Sequence, residues 1–276
     1  MVEIITKMRI AAIVVTFHPN INALVDNILT YQEYVDYILI WRNSQEEIKI
    51  PESVQAKIIF CGSGRNEYIA KPLNYALKWC VEHDCDYLMT MDQDSTWHNF
   101  AGFINQVQNA QERNVAIYAP NVNQLYSKSD DSFFAESVIT SGSVCNVAIA
   151  NKLGGFREDY QIYWVDGEFC HWLRMNGYTI KVFPHYNMVQ QFGKETRIAL
   201  GYTTSHYSPQ VYYFIFRNML WMKREYGSNP SWRCVLYTSV YHIRGIILGE
   251  KNKLKKLLMI AKACRDGLFL SIIRRG

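Results

Sequence analysis

The sequence lacks any run of the roughly 18 uncharged apolar residues that a membrane-spanning helix requires, because charged residues interrupt its most apolar stretch between Arg233 and Glu250. No secretory signal peptide is predicted either, since the apolar run over residues 10–17 ends at His18-Pro19 without a small-residue cleavage site. We therefore expect a cytoplasmic protein that does not cross a bilayer. We expect the first seven residues to be a dispensable extension.

The seven cysteines contain no C-x-x-C pair and lie mostly inside apolar runs such as residues 77–81. This pattern is typical of buried thiols in a reducing compartment, and it argues against a zinc site or a secreted disulfide scaffold. Charged residues make up only 20% of the chain and apolar residues 49%, which excludes a disordered chain. With 276 residues, the chain is long enough to fold around a hydrophobic core of its own.

The net charge of +4 is too small to indicate nucleic-acid binding, but it is unevenly distributed. Residues 244–276 carry nine Lys or Arg against two acids, a net +7, which leaves −3 for the rest. Leucines recur at helical spacing among these lysines, so the tail is predicted to dock on an anionic membrane surface. Packing of this helix on the protein body, with a solvated basic face, is an equally good interpretation.

Apolar runs rich in β-branched residues alternate with amphipathic stretches through the first half of the chain. This alternation predicts an α/β fold with a Rossmann-like, mostly parallel sheet and crossover helices. The predicted strands cover residues 10–17, 37–41, 57–61, 87–92 and 115–120, and a strand-like segment covers 137–150. The predicted helices cover residues 22–34, 68–83, 100–113 and 166–176.

Beyond Pro209 only helices are predicted, over residues 210–226, 232–248 and 252–273. We place the boundary between the α/β core and this helical extension near residue 205. The predicted division is thus an α/β core over 1–205 and a helical C-terminal extension over 206–276.

The strongest local signal is the apolar strand over residues 87–92, which ends in Asp92 and is followed by Asp94. Residues i and i+2 of an extended chain point to the same side, so both carboxylates can face one ligand at the carboxyl end of the strand. Magnesium is often held by one or two carboxylates together with substrate phosphates. The alternative is that Asp94 and Ser95 cap the following helix. Asp84-Cys85-Asp86 has the same spacing but lies at the opposite end of the strand.

A second signal is the acidic pair Asp166 and Glu168 at the start of a predicted helix within an aromatic stretch. Either carboxylate can act as a general base toward a hydroxyl, although capping of the helix is the commoner role for such a residue. Residues two apart do not share a helix face, so only one is expected to be catalytic.

Motifs of other enzyme classes are incomplete or missing. Gly62-Ser63-Gly64 lacks the third glycine of a dinucleotide-binding loop, and no G-x-S-x-G nucleophile motif occurs. A sugar-phosphate nucleotidyltransferase would need a glycine-rich basic loop after the first strand, where this chain has His18-Pro19-Asn20.

Taken together, the motifs resemble glycosyltransferase family 2, in particular its rhamnosyltransferase-like branch, over nearly the whole chain. The resemblance is carried by residues 12–20 (AIVVTFHPN), 66–74 (NEYIAKPLN), 91–95 (MDQDS), 140–143 (TSGS), 154–156 (GGF), 165–170 (VDGEFC), His206-Tyr207-Ser208-Pro209, Tyr212-Tyr213 and Arg217-Asn218. It implies a GT-A fold and an inverting, metal-dependent transfer from a nucleoside-diphosphate sugar, a dTDP- or UDP-sugar, to a saccharide or polyprenyl-linked acceptor. Such acceptors are assembled at the inner face of the cell membrane, which fits the basic tail.

The resemblance also implies roles for individual residues. Asp166 is the implied catalytic base, and Asp94 with Asp92 is the implied site for Mg²⁺ or Mn²⁺. The implied nucleotide-sugar contacts are Thr16, Pro19, Asn43, Asn66, Asn74 and Asp92, and the implied acceptor-side residues are Ser141, Gly142, Trp164 and Glu168.

The chain departs from the family pattern at three places. Arg42 stands where the family has an acid, Glu67 replaces a glycine after Asn66, and residues 190–193 (QQFG) lack a histidine. These departures motivate an alternative function, a non-catalytic nucleotide-sugar binding protein.

Overall fold

The fold is described by a computed structural model, which covers residues 8–110, 112–126, 131–191, 196–198, 201–272 and 275. The chain divides into two compact units. The first comprises the residues up to Gln161 together with Val165–Gln191, and the second comprises Ile162–Trp164 and the residues from Phe192 onward. The division predicted at residue 205 falls within the second unit. The first seven residues, Phe192 and Gly193 lie outside the described residues.

A nine-stranded sheet forms the centre of the first unit, counted over its described residues. Its strands are β1 (Ile10–Thr16), β2 (Tyr37–Arg42), β3 (Ile58–Cys61), β4 (Tyr87–Asp92), β5 (Ser95–Trp97), β6 (Val115–Val122), β7 (Phe133–Phe134), β8 (Ser143–Asn146) and β9 (Thr179–Gln190). Their order is β3-β2-β1-β4-β8-β6-β9-β5, with β7 paired to β9. The pairings give β1–β4, β6 and β9 one common direction, so the predicted mostly parallel α/β sheet is confirmed.

Helices accompany this sheet as crossover connections. They are α1 (Ile21–Leu29), α2 (Glu52–Gln55), α3 (Ala70–Glu82), α4 (Phe100–Ala110), α5 (Val147–Lys152) and α6 (Val165–Met175). Apolar residues of β1, β2 and β4 form one buried cluster with residues of α1 and α4, among them Leu24, Ile28 and Phe103. Because β1 and β2 are buried along nearly their whole length, their sequences are continuous apolar runs, as expected for central parallel strands.

Two local predictions were wrong, and the alternative interpretation of Asp94 and Ser95 as helix caps is excluded. The strand expected over 137–150 is confined to β8, because the Asn146 side chain accepts a hydrogen bond from the N–H of Ile149 at 3.0 Å and starts α5. Asp94 and Ser95 do not cap a helix, since Ser95 begins β5. The helix expected over 22–34 ends at Leu29 and is followed by a separate 3₁₀ turn.

The second unit contains α7 (Pro209–Tyr226), α8 (Trp232–Gly249) and α9 (Lys253–Phe269), which confirm the three predicted C-terminal helices. A short antiparallel ribbon, β10 (Thr196–Arg197) and β11 (Thr203–Thr204), was not predicted. Ser208 caps α7 by accepting a hydrogen bond from the N–H of Val211 at 3.3 Å, and Pro209 occupies the first helical position. Over the described ranges, no helix has both the length and the hydropathy to cross a bilayer.

Candidate active site

Asp92 is held in place at the carboxyl end of β4 by two buried serines. Its backbone N–H donates to Ser141 Oγ at 3.1 Å, and Ser141 Oγ donates to Ser95 Oγ at 2.8 Å. Both serines are buried, and Ser141 comes just before β8. The segment preceding an antiparallel strand is thereby joined to the end of a parallel one.

Gly142 allows this close approach. Its φ of +77° lies in the left-handed region, and a Cβ there would lie 2.8 Å from Met188 Sδ and 2.9 Å from Pro120 Cγ. Its N–H donates to Thr90 O at 2.7 Å. Because only glycine fits this backbone and this space, the turn delivers Ser141 to the end of β4.

The Asp92 carboxylate lies in an environment that disfavours its charge. Burial and, to a smaller extent, the negative charges of Asp94 and Asp166 raise the pKa of Asp92 to about 7, while a hydrogen bond from Gln190 Nε2 opposes the increase. Burial also raises the pKa of Asp94. The charges of both other carboxylates therefore act on Asp92.

Asp166 is the second residue of α6, so it is not the capping residue that its spacing alone suggested. Its Oδ1 accepts a hydrogen bond from the N–H of Gly167 at 2.8 Å. Burial raises the pKa of Asp166, against the lowering effect of nearby backbone N–H groups. Glu168 in the same helix is fully buried, whereas Asp166 keeps part of its surface exposed.

The predicted nucleotide-side residues Thr16 and Asn43 join the ends of β1 and β2. Buried Thr16 donates from Oγ1 to Trp41 O at 3.0 Å, and the Asn43 N–H donates to Thr16 O at 2.9 Å. The Asn43 side chain donates to Tyr68 O at 2.7 Å and accepts from the N–H of Glu67 at 2.9 Å. Asn43 therefore fixes the loop that precedes α3.

The remaining predicted nucleotide-side residues lie around this loop and on α3. Pro19 is partly exposed before α1, and exposed Asn66 accepts from the N–H of Tyr68 at 2.9 Å. The Asn74 side chain accepts from the N–H of Phe156 at 2.7 Å and donates to Phe156 O at 2.8 Å. Asn74 thus supports the turn after α5.

Two of the departures from the family pattern lie on this side of the unit. The Arg42 guanidinium at the end of β2 lies 6.0 Å from the centre of the Phe60 ring, and its Nε is buried without a partner among the described residues. Glu67, just before α3, forms an ion pair with Lys71 in the first turn of that helix. Trp164, predicted on the acceptor side, belongs to the second unit and packs against that unit's apolar cluster.

The Asp92 and Asp94 carboxylates fit a divalent cation that is shared with a ligand. Among the described residues, no group of three or more His, Cys, Asp and Glu side chains forms a complete metal site. Two carboxylates suffice for an ion that completes its coordination with water and phosphate oxygens. Burial is the main cause of the raised pKa of Asp92, and the charges of Asp94 and Asp166 add a repulsion that a bound cation would offset.

Sequence reasoning missed two members of this site. Gln190 was noted only for the family histidine absent from its segment, yet its amide contacts Asp92. Ser95 was considered only as part of the 91–95 motif and, in the alternative, as a helix cap, yet it accepts a hydrogen bond from the hydroxyl of Ser141. Neither contact had a sequence signal, because β9 and β5 were not predicted and their pairing brings Gln190 to this edge.

The chain resembles a curated protein over nearly its whole length. No family model matches the chain. The dTDP-rhamnosyl transferase RfbF of Shigella flexneri is 26% identical over 287 aligned positions, covering 94% of this chain and 95% of the relative. The resemblance predicted from the sequence is confirmed. The chain is a glycosyltransferase with the GT-A fold.

Solved glycosyltransferase structures share the fold at low sequence identity. GalNAc-T7, crystallised with UDP, GalNAc and Mn²⁺, gives a TM-score of 0.60 at 9% identity, with 95% of this chain matching 56% of that one. Residues 1–349 of Staphylococcus aureus TarS give 0.55 at 13% identity, over 95% and 81% of the two chains. The mannosyltransferase PcManGT of Pyrobaculum calidifontis, solved with GDP-Man and Mn²⁺, gives 0.54 at 14%, over 96% and 76%.

In this glycosyltransferase, several residues of the rhamnosyltransferase-like signature stabilise the second unit. The Asn218 side chain is fully buried and donates to the carbonyls of Ile162 and Tyr163, both at 2.9 Å. Arg217 donates to Asn218 Oδ1 and lies 4.1 Å from the Trp221 ring centre. The signature therefore fixes the segment Ile162–Trp164 within its own unit.

Proposed function

We propose that this glycosyltransferase inverts the configuration of a sugar, with rhamnose as the first candidate, when it moves that sugar from a nucleoside diphosphate to a saccharide or lipid-linked saccharide. The observation that carries the proposal is the group of Asp92, Asp94 and Asp166, whose pKa values are all raised, at one edge of a GT-A sheet. The name of the Shigella relative favours a dTDP-sugar donor. Surface polysaccharide synthesis at the inner face of the cell membrane is the proposed setting.

Asp166 is the proposed base. The acceptor hydroxyl oxygen forms a bond to the anomeric carbon as the bond from that carbon to the diphosphate oxygen breaks, and the electron pair leaves with the diphosphate. The hydroxyl proton passes to the Asp166 carboxylate. A raised pKa makes this carboxylate a stronger base than an exposed aspartate.

Asp94 and Asp92 would hold Mg²⁺ or Mn²⁺ against the donor diphosphate. When bound, the cation supplies positive charge that stabilises the leaving diphosphate. Ser141, Ser95 and Gln190 orient Asp92 for this role through the contacts described above. The presence of Mn²⁺ in two of the similar structures supports a divalent ion here.

Thermal unfolding with a panel of nucleotides tests the donor site. We expect one of the thymidine, uridine or guanosine diphosphates, or its sugar, to raise the unfolding temperature in the presence of Mn²⁺ or Mg²⁺. The stabilisation should disappear with EDTA and in Asp94→Ala. If no nucleotide raises the unfolding temperature, the donor site is contradicted. Arg42 and Glu67 would then be the first residues to replace with the family's acid and glycine.

Asp166→Asn tests the base and separates an enzyme from the alternative, a nucleotide-sugar binding protein without activity. We expect transfer to fall by about 10²- to 10⁴-fold, while the stabilisation by nucleotide persists. Glu168→Gln in the same helix is the matched variant, and it should affect stability more than the chemical step. Transfer at full rate in Asp166→Asn would assign the base to another group.

A further inference from the structure

Helix α8 exposes an unusually apolar surface. Of its eighteen residues only Val235, Gly245 and Ile246 are buried. Its large exposed apolar side chains are Trp232, Leu236, Tyr237, Val240, Ile247 and Leu248. At 100° per residue, these six fall within an arc of about 160°, away from the buried residues, and extend about 24 Å along the axis. We call this surface the α8 face.

Helix α9 repeats this arrangement. Leu254, Leu258, Leu268 and Phe269 are exposed and fall within an arc of about 100°, opposite the buried Ile260 and Ala263. Phe269 is 79% exposed and Leu254 72%, values typical of side chains without a packing partner. We call this surface the α9 face. Exposed Arg265 lies between the two ends of the α9 face. Soluble proteins rarely leave large apolar surfaces open to water.

The exposed charges around both faces have one sign. Glu250 and Asp266 are the acids of the sequence between residues 227 and 272, and both are buried and bonded to Lys256 and Arg265 respectively. The exposed basic residues of the same segment are Arg233, Lys251, Lys253, Lys255, Lys262 and Arg265. The surface of α8 and α9 is therefore apolar and positively charged, with its acidic groups inside.

This combination favours a lipid surface over a second copy of the chain. A symmetric dimer through either face would bring the lysines of one copy toward those of the other. An anionic bilayer complements both properties, because apolar side chains enter the boundary between headgroups and acyl chains while lysines contact the acidic headgroups. Trp232 and Tyr237 are residue types enriched at that boundary.

We propose that the α8 and α9 faces bind the surface of an anionic membrane. The α8 face was not predicted from the sequence, which assigned membrane contact to the basic tail alone. The proposal goes beyond the transfer reaction and does not depend on it. It assigns a second binding function to side chains that lie outside the candidate active site.

Vesicle sedimentation of the full chain tests the proposal without donor or acceptor. We expect the protein to bind vesicles that contain phosphatidylglycerol, to bind phosphatidylcholine vesicles at least tenfold more weakly, and to be released by salt. The triple variant Trp232→Ser, Leu236→Ser and Tyr237→Ser should lose at least tenfold in affinity. Lys251→Glu with Lys253→Glu and Lys255→Glu should lose at least as much for anionic vesicles.

Matched controls come from equally exposed residues of the first unit. Leu125→Ser and Phe134→Ser, at 59% and 60% exposure, should leave vesicle binding unchanged, as should Lys49→Glu. All variants replace exposed side chains, so unchanged circular dichroism and nucleotide stabilisation are expected. These readouts separate loss of membrane binding from failure of the proposed donor site.

Three results would overturn the proposal. The first is failure of the wild-type chain to bind anionic vesicles, and the second is vesicle binding that the α8 triple variant and the triple lysine variant leave intact. The third is a concentration-dependent dimer in analytical ultracentrifugation that the α8 triple variant abolishes, which would assign the face to a second copy.

Discussion

Asp92 in the first unit is partly buried and Glu250 in the second is buried, yet their surroundings move their pKa values in opposite directions. In the first unit, burial and mutual repulsion raise the pKa of Asp92. In the second, the pKa of Glu250 is lowered, because hydrogen bonds from Lys256, Thr204 and Tyr212 outweigh burial. Lys256 neutralises Glu250 within the fold, whereas the side chains that shift the pKa of Asp92 are two further carboxylates and a neutral amide. The difference separates an acid that stabilises the fold from one for which we propose a ligand.

The largest expected effect concerns Glu250. Its fully buried carboxylate forms an ion pair with buried Lys256 and accepts hydrogen bonds from the hydroxyls of Thr204 and Tyr212. We expect Glu250→Ala to lower the free energy of unfolding by about 3–5 kcal/mol, because a buried ammonium loses its counterion. Urea unfolding measures the change. Glu47→Ala, at an exposed pair with Lys49, is the control and should cost less than about 1 kcal/mol.

Asp92→Asn should have the opposite sign. The pKa of Asp92 lies near 7 in place of 3.8. This shift corresponds to a destabilisation of the folded protein by the ionised carboxylate of at most about 4 kcal/mol. Because the side chain is partly exposed, we expect a gain of about 1–2 kcal/mol at pH 8 in EDTA. Because the pKa is higher in the folded state, the protonated Asp92 stabilises the fold fully below its unfolded-state pKa of 3.8. This contribution is lost as the pH rises through the folded-state pKa of about 7. The gain should therefore vanish near pH 4, and equal stabilisation at both pH values would contradict the assignment.

Acid should weaken the second unit through Glu250. A lowered folded-state pKa stabilises the protein above the ordinary value of 4.5, and this contribution is lost as pH falls through the folded-state pKa. We expect the stability difference between wild type and Glu250→Gln to shrink between pH 7 and pH 3. The test compares urea unfolding of both proteins at the two pH values. A constant difference would show that the charge of Glu250 is not the stabilising element.

The smallest expected effect concerns Gln190, whose amide donates to Asp92 and lowers its pKa. Gln190→Ala should raise the pKa of Asp92 by less than about one unit, or less than about 1.4 kcal/mol. Carboxyl-carbon NMR titration of Asp92 measures this directly. Gln93→Ala is the neighbouring control, because that amide contacts Phe17 and not the carboxylates. A pKa of Asp92 that stays unchanged in Gln190→Ala would remove Gln190 from the site.

The parallel half of the sheet was predictable because its strands are buried on both faces. Strands β1, β2 and β4 are apolar runs, and each lies within one residue of its predicted bounds. By contrast, β9 contains Pro184, His185 and Asn187, and its burial does not alternate regularly, so neither strand pattern applies to it. The helix α5 was taken for a strand because Val147 and Ile149 are β-branched, while the deciding contact is the cap made by Asn146.

The candidate site divides in the same way. Asp92 and Asp94 follow a predictable strand, so their joint position follows from the alternation of side chains. The contacts that position Asp92 come from Ser141 and Gln190, which are 49 and 98 residues away from it in sequence. Long-range pairing of β5 with β9 and of β4 with β8 decides these contacts, and no local pattern records it.

Strand β4 has a parallel neighbour, β1, on one side and an antiparallel neighbour, β8, on the other. At the edge where β4 ends, one adjacent chain segment is therefore leaving the sheet and the other is entering it. Two stretches remote in sequence, one following β1 and one preceding β8, flank the same pair of carboxylates. If the proposed function is correct, insertions or substitutions in one stretch would change what is recognised on that side without disturbing the other, so the specificities for the two substrates would diverge independently.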